Sequence, residues 1–228
     1  MSEWWSYRPS DFLMFSPRIY WRLFEALNRE AWPVALLATL AALAWWLMAA
    51  RGRADGLTSP RAMAVLLAAA WAMAAWAFLL QRFAPILWVA SAYAVLFWLQ
   101  AALLLMLAWR GRLQLQPAGL CRRAGLGLAL AVLLGWPLLA PLAGRPGLQA
   151  EWLALAPDPT AAFTLAWLSL CRPAGPGAAG LFRLAWCLPV AWCVVSAATL
   201  ATMGSWQALA LVALLLGVTV VARTRRGA

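Results

Sequence analysis

The chain has seven carboxylates: Glu3, Asp11, Glu25, Glu30, Asp55, Glu151 and Asp158. Four of them neighbour Arg in sequence, where simple ion pairing is expected. Glu151 and Asp158 share one stretch, 144–159, ahead of an apolar segment. Carboxylate oxygens can hold a hard cation or a proton, so this pair is the candidate polar site. The competing reading is structural. Asp158 followed by Pro159 is a helix-start signal, with Asp158 as an N-cap, and the cap is the expected role.

Other chemistry is thin. The chain has no His, which removes a histidine haem ligand, a His-containing zinc site and a Ser-His-Asp triad within it. Every basic residue is Arg, and a phosphate loop needs a Lys. Cys121, Cys171, Cys187 and Cys193 form no CxxC pair. Cys187 and Cys193 lie on different faces of one expected helix, and both read as small apolar core residues. Among the 17 Trp, several sit near span ends as interfacial anchors, while Trp71, Trp98 and Trp192 lie deeper and can pack between helices. The pattern brings no Trp set together as a cage. No catalytic residue, cofactor or metal site is expected.

The elements that carry these residues are membrane helices. The 228 residues are 66% hydrophobic and 11% charged, with a mean hydropathy of +0.80. That is too little charge to cover a water-facing surface. The net charge of +11 comes from short Arg clusters between apolar runs, the way basic residues flank membrane spans. Lipid is therefore the expected partner, and no nucleic-acid motif is present. The fold class is all-α, a polytopic transmembrane bundle of about seven spans. They cover residues 31–50, 62–80, 83–109, 126–143, 160–170, 181–203 and 206–221. Residues 1–30 form a separate N-terminal segment before the bundle, 31–228. No cleavable signal peptide is expected.

The fifth span, 160–170, is short, about 16 Å as a helix against about 30 Å of hydrocarbon. If it does not cross, six spans remain. If it crosses, Arg51, Arg53, Arg61, Arg110, Arg112, Arg122, Arg123, Arg172, Arg183, Arg223, Arg225 and Arg226 share one side, which is 12 of the 18. The positive-inside rule then favours seven crossings, N-terminus outside and C-terminus inside a bacterial inner membrane.

Ser16 and Pro17 form a helix start, a hydroxyl cap followed by Pro at the first helical position. From there Arg18, Arg22, Glu25 and Arg29 fall on one narrow strip. Ile19, Tyr20, Leu23, Phe24 and Leu27 occupy the opposite face, and Glu25 precedes Arg29 by one turn. The segment is expected to be an interfacial helix, its aromatic face in lipid or against the bundle. Ser10 and Asp11 are expected to cap a short turn before it, with Trp4, Trp5, Trp21 and Trp32 at headgroup level.

The leader Ser2-Glu3-Trp4-Trp5-Ser6-Tyr7-Arg8, with Ser10-Asp11-Phe12 and Phe15-Ser16-Pro17-Arg18, resembles the opening of a bacterial membrane-protein family catalogued only as a domain of unknown function. The run Ala156-Pro157-Asp158-Pro159-Thr160 is similar too. The resemblance implies a multi-span bacterial membrane protein and brings no activity.

Two functions stay open from the sequence. The first is a non-enzymatic accessory or scaffold protein that meets a membrane-protein partner, or a second copy of itself, through the N-terminal helix. The second is a transporter or channel for a small solute, ion or lipid. No charge is evident in the middle of a span and no internal repeat is visible, so the accessory role is the expectation.

Overall fold

The computed structural model describes residues 14–53, 56, 59–110, 113–175 and 178–224. The expected turn at Ser10 and Asp11, the placing of Trp4 and Trp5, and Asp55, Arg112, Arg225 and Arg226 lie outside the described residues.

Helix α1 runs Pro17–Ala50, and Ser16 caps it by accepting from the Ile19 N–H at 3.4 Å. It is bent at Ala31, whose backbone is not helical (φ −117, ψ 16). Pro33 is the cause: it has no N–H for the preceding turn, and its ring crowds the carbonyl of Arg29.

Helix α2, Pro60–Phe83, begins at a second Ser-Pro start, with Ser59 as the cap. Its latter part, Ala74–Phe83, is π-helical. In an α-helix residues five apart diverge by about 140°. Hydrogen bonds from residue i to i+5 bring such residues toward one side. Phe78 and Phe83 are therefore neighbours, with ring centroids 5.6 Å apart.

Helix α3, Ala90–Arg110, leads into a short strand β1, Leu113–Leu115. Helix α4, Leu120–Leu142, tightens to a 3-10 turn at Trp136–Leu138, where Pro137 interrupts the ladder. Helix α5 is Pro157–Leu170, and strand β2 is Cys171–Pro173. Helix α6 spans Ala178–Thr202, and α7 spans Gln207–Thr224. Pro189 lies inside α6, so the Ala185 carbonyl loses its helical partner. Gln100 of α3 donates its Nε2–H to that carbonyl at 3.0 Å.

Contacts between helix ends trace the path. At one end, Arg122 of α4 donates to the Ala49 carbonyl, and Trp45 donates to the Ser59 carbonyl at 3.1 Å. There β1 pairs antiparallel with β2, Gln114 opposite Arg172. At the other end, Arg82 pairs with Glu30, and Arg145 donates to Gln207 Oε1 at 2.8 Å. Residues 150–170 therefore pass from one end of the bundle to the other, the first part as an irregular turn and the rest as α5. All 14 residues of α5 are buried, which makes it the axis of the bundle. At Gly125 a Cβ would lie 2.8 Å from Leu170 Cδ2, so glycine lets α4 close on α5.

Five helices among the described residues are long and apolar enough to cross a membrane: α1, α2, α3, α4 and α6. Their outer faces expose Leu37, Leu40, Val95, Leu99 and Leu184. Such faces suit lipid rather than water.

Candidate functional site

The N-terminal half of α1 lies on the bundle by its aromatic face. Tyr20, Phe24 and Leu27 are buried, and Leu23 is half-buried. The Phe24 ring stacks on Phe78 at 4.5 Å, and Tyr20 meets Phe83 edge-on at 5.6 Å. Ile19 is exposed, although the sequence pattern groups it with the apolar face. Arg18, Arg22 and Arg29 are exposed, and Arg29 pairs with Glu25 at 2.9 Å. Two residues correct the expectation: Trp21, placed at headgroup level with the exposed Trp32, is buried under Arg145, and Asn28 is buried too.

Asn28 shows why. Its side-chain amide donates to the carbonyls of Leu148 and Ala150, at 2.7 and 2.8 Å. It thus clamps the turn that leads to Glu151. Arg145 lies 3.5 Å from the Trp21 ring centroid, a cation–π contact from the same loop. Burial lowers the Arg145 guanidinium from its ordinary value, and the Glu151 charge opposes that shift.

Beneath this cover lie the two carboxylates of the candidate polar site. Glu151 is 3% exposed and Asp158 is 1% exposed. Trp136 of α4 donates its Nε1–H to Glu151 Oε2 at 3.0 Å. Asp158 accepts from Trp192 Nε1–H at 2.8 Å and from the Ser196 hydroxyl at 2.7 Å, both on α6. Asp158 is therefore no N-cap. The capping position is Ala156, without a side-chain bond, and Asp158 stands in the first turn with its carboxylate turned to α6. The two prolines beside it lack N–H groups, so a cap had little to satisfy there.

The turn between the carboxylates is strained. Ala154 has φ 71, a left-handed conformation that a side chain disfavours. The Thr160 hydroxyl holds it, accepting from the Ala154 N–H at 3.1 Å and donating to the Ala156 carbonyl at 2.7 Å. Thr164 then links α5 to α2 by accepting from Trp71 Nε1–H at 2.9 Å.

A cavity of about 200 Å³ lies between the start of α1, the end of α2, the start of α3, and α6, and Asp158 stands behind its wall. Tyr20, Phe83, Tyr93, Trp192, Ser196 and Thr199 are among its lining residues. Trp192 and Ser196 thus touch both the cavity and Asp158.

Glu151 and Asp158 have no salt bridge among the described residues, whereas Glu25 and Glu30 do. Ion pairing thus answers the exposed carboxylates and not the buried ones. A buried carboxylate without a counter-ion costs several kcal/mol unless a proton or another cation shares its site. The arrangement can therefore bind a cation, and Ser196 and Trp192 fix where the negative charge is held.

The sequence reading missed Ser196, Trp136 and Tyr93. A signal for Ser196 existed: it stands one turn from Trp192, on the same face of one helix. The cysteines also need correction. Cys193 is buried, but Cys187 is exposed and donates only to the Arg183 carbonyl at 3.7 Å. Trp98, expected to pack deep, is exposed as well. No group of three or more candidate metal ligands occurs among the described residues.

Fold and site define a class: an apolar helical bundle that fits a membrane protein, with a buried acidic pair near a partly open cavity. The chain belongs to a family of unknown function (DUF6064), whose model matches residues 17–228. The match begins at Pro17, so it covers the Ala156–Thr160 run but little of the leader. No curated protein and no solved structure matches the chain.

Proposed function

We propose that this protein is an integral membrane transporter that takes a cation, in exchange for or together with a proton, at Glu151 and Asp158. The carrying observation is that both carboxylates are buried in the bundle and neither forms a salt bridge among the described residues. Intramembrane acids of this kind mark ion and proton pathways. The accessory reading loses ground for a geometric reason. The aromatic face of the N-terminal helix, which a partner would need, is occupied by the protein's own α2.

The reading includes seven crossings in a bacterial inner membrane, N-terminus outside and C-terminus inside. Its support is the passage of residues 150–170 through the bundle, which gathers the Arg-rich loops at the end where β1 pairs with β2. Residues 1–30 are then an outer interfacial cover, Arg18, Arg22 and Arg29 facing headgroups, and 31–228 the bundle. Lipid is the partner throughout.

Proteoliposomes loaded with a pH-sensitive dye test the function. Adding sodium, potassium or small organic ammonium salts outside should move protons for at least one of them. Glu151→Gln and Asp158→Asn should abolish the signal while retaining the fold. No proton movement by the wild type with any cation refutes the reading. Labelling single cysteines placed after Trp206 and after Ala228 tests the topology, and an outward-facing tail refutes seven crossings.

A further inference from the structure

We propose that the cavity beside Asp158 binds a small organic ammonium ion, held between the rings of Tyr20, Tyr93 and Trp192 with Asp158 as its counter-charge. This rests on the reading that the acidic pair takes a cation, and it adds which kind.

The walls decide the class. A bare alkali cation needs oxygen ligands from several sides. Here the lining is mostly rings and aliphatic groups, including Phe15, Phe83, Leu87 and Val195. Ring faces attract organic ammonium ions. Trp192 spends its N–H on Asp158, so what it offers a ligand is its ring. Ser196 lines the cavity and donates to Asp158 Oδ2 at 2.7 Å, so the carboxylate lies directly behind the cavity wall. Thr199 spends its hydroxyl on the Val195 carbonyl at 2.9 Å.

Tyr20 adds a ring to the same wall: it is 6% exposed and lines the cavity. Size fits as well. The volume is about 200 Å³, and an apolar cavity of about 150 Å³ takes benzene. An anion would sit against the Asp158 charge behind Trp192 and Ser196, and a neutral ligand would leave that charge unanswered.

Purified full-length protein in detergent is titrated with choline, followed by tryptophan fluorescence and thermal unfolding. The comparison ligand is the uncharged isostere in which carbon replaces the quaternary nitrogen. Sodium and potassium chloride are run at matched ionic strength. Choline should bind saturably and raise the unfolding temperature, and the isostere should bind at least about tenfold more weakly. Asp158→Asn should weaken choline by about tenfold or more. Thr199→Trp fills the cavity and leaves both carboxylates in place, so it should abolish choline binding without lowering the unfolding temperature. Equal binding of the isostere, or unchanged choline binding by Thr199→Trp, overturns the proposal. If Asp158→Asn fails to fold, those two comparisons decide. Sodium or potassium binding that needs Asp158, with no choline binding, sinks the organic ligand and leaves the acidic cation site standing. No binding of any cation sinks both.

Discussion

Replacing Thr160 by Val tests how the turn between the two carboxylates is held. Thr160 is fully buried, and its hydroxyl both receives the Ala154 N–H and donates to the Ala156 carbonyl. Thr160→Val keeps the shape and exchanges the hydroxyl for a methyl group. It leaves the buried Ala154 N–H without a partner, at about 1–3 kcal/mol, and removes a second hydrogen bond worth about 1 kcal/mol. The expected cost is about 2–4 kcal/mol in all. In a chain of this length each kcal/mol is about 2–4 °C, so the midpoint should fall by roughly 5–15 °C. Thr160→Ser keeps both bonds and loses one methyl group, at about 1 kcal/mol. The order of stability is therefore wild type, Ser, then Val. Burial of apolar surface alone predicts that Val outranks Ser, so the two accounts differ in sign. Thermal unfolding of the three proteins in one detergent, read by tryptophan fluorescence, separates them. A Val variant as stable as the Ser variant would refute the role given to the hydroxyl.

Other consequences follow from the packing and the charge. Phe24→Ala removes a fully buried ring stacked on Phe78 and should cost about 3–5 kcal/mol. Arg22→Ala, on the exposed strip, should stay within about 0.5 kcal/mol in the same unfolding assay. Gly125→Val should push α4 from α5, because even a Cβ there meets Leu170 at 2.8 Å, and should cost about 1–3 kcal/mol or more. Its effect would appear as a lower unfolding temperature with less folded protein recovered. Cation binding at Glu151 and Asp158 should weaken as pH falls, since protons compete for the same oxygens. Equilibrium titrations across pH would show this, and binding that strengthens toward acid would contradict it.

Local pattern made some of this legible. The Ser16-Pro17 start and the amphipathic strip through Arg29 are local features, and the structure keeps both. The pattern left the aromatic face a choice between lipid and protein. Phe78 and Phe83 decide it, and they stand side by side only because that part of α2 is π-helical, which no periodicity in the sequence announces. The same limit applies to Asp158. Asp next to Pro reads as a cap because capping is local, yet its hydrogen bonds come from Trp192 and Ser196, more than thirty positions away.

Composition by itself pointed to the class, apolar helices compatible with a membrane protein. With 66% hydrophobic residues and 11% charged, long continuous apolar runs satisfy their backbone polar groups as helices. The absence of His and Lys likewise removed whole chemistries. What only the tertiary structure decided is where the acids lie. Glu151 and Asp158 sit outside the apolar runs, so a hydropathy reading places them in a loop. The turn at Ala154 and the clamp from Asn28 fold that loop into the bundle instead. Burial depends on what packs around a residue rather than on its neighbours in sequence, and here the cover comes from α1, α4 and α6 together.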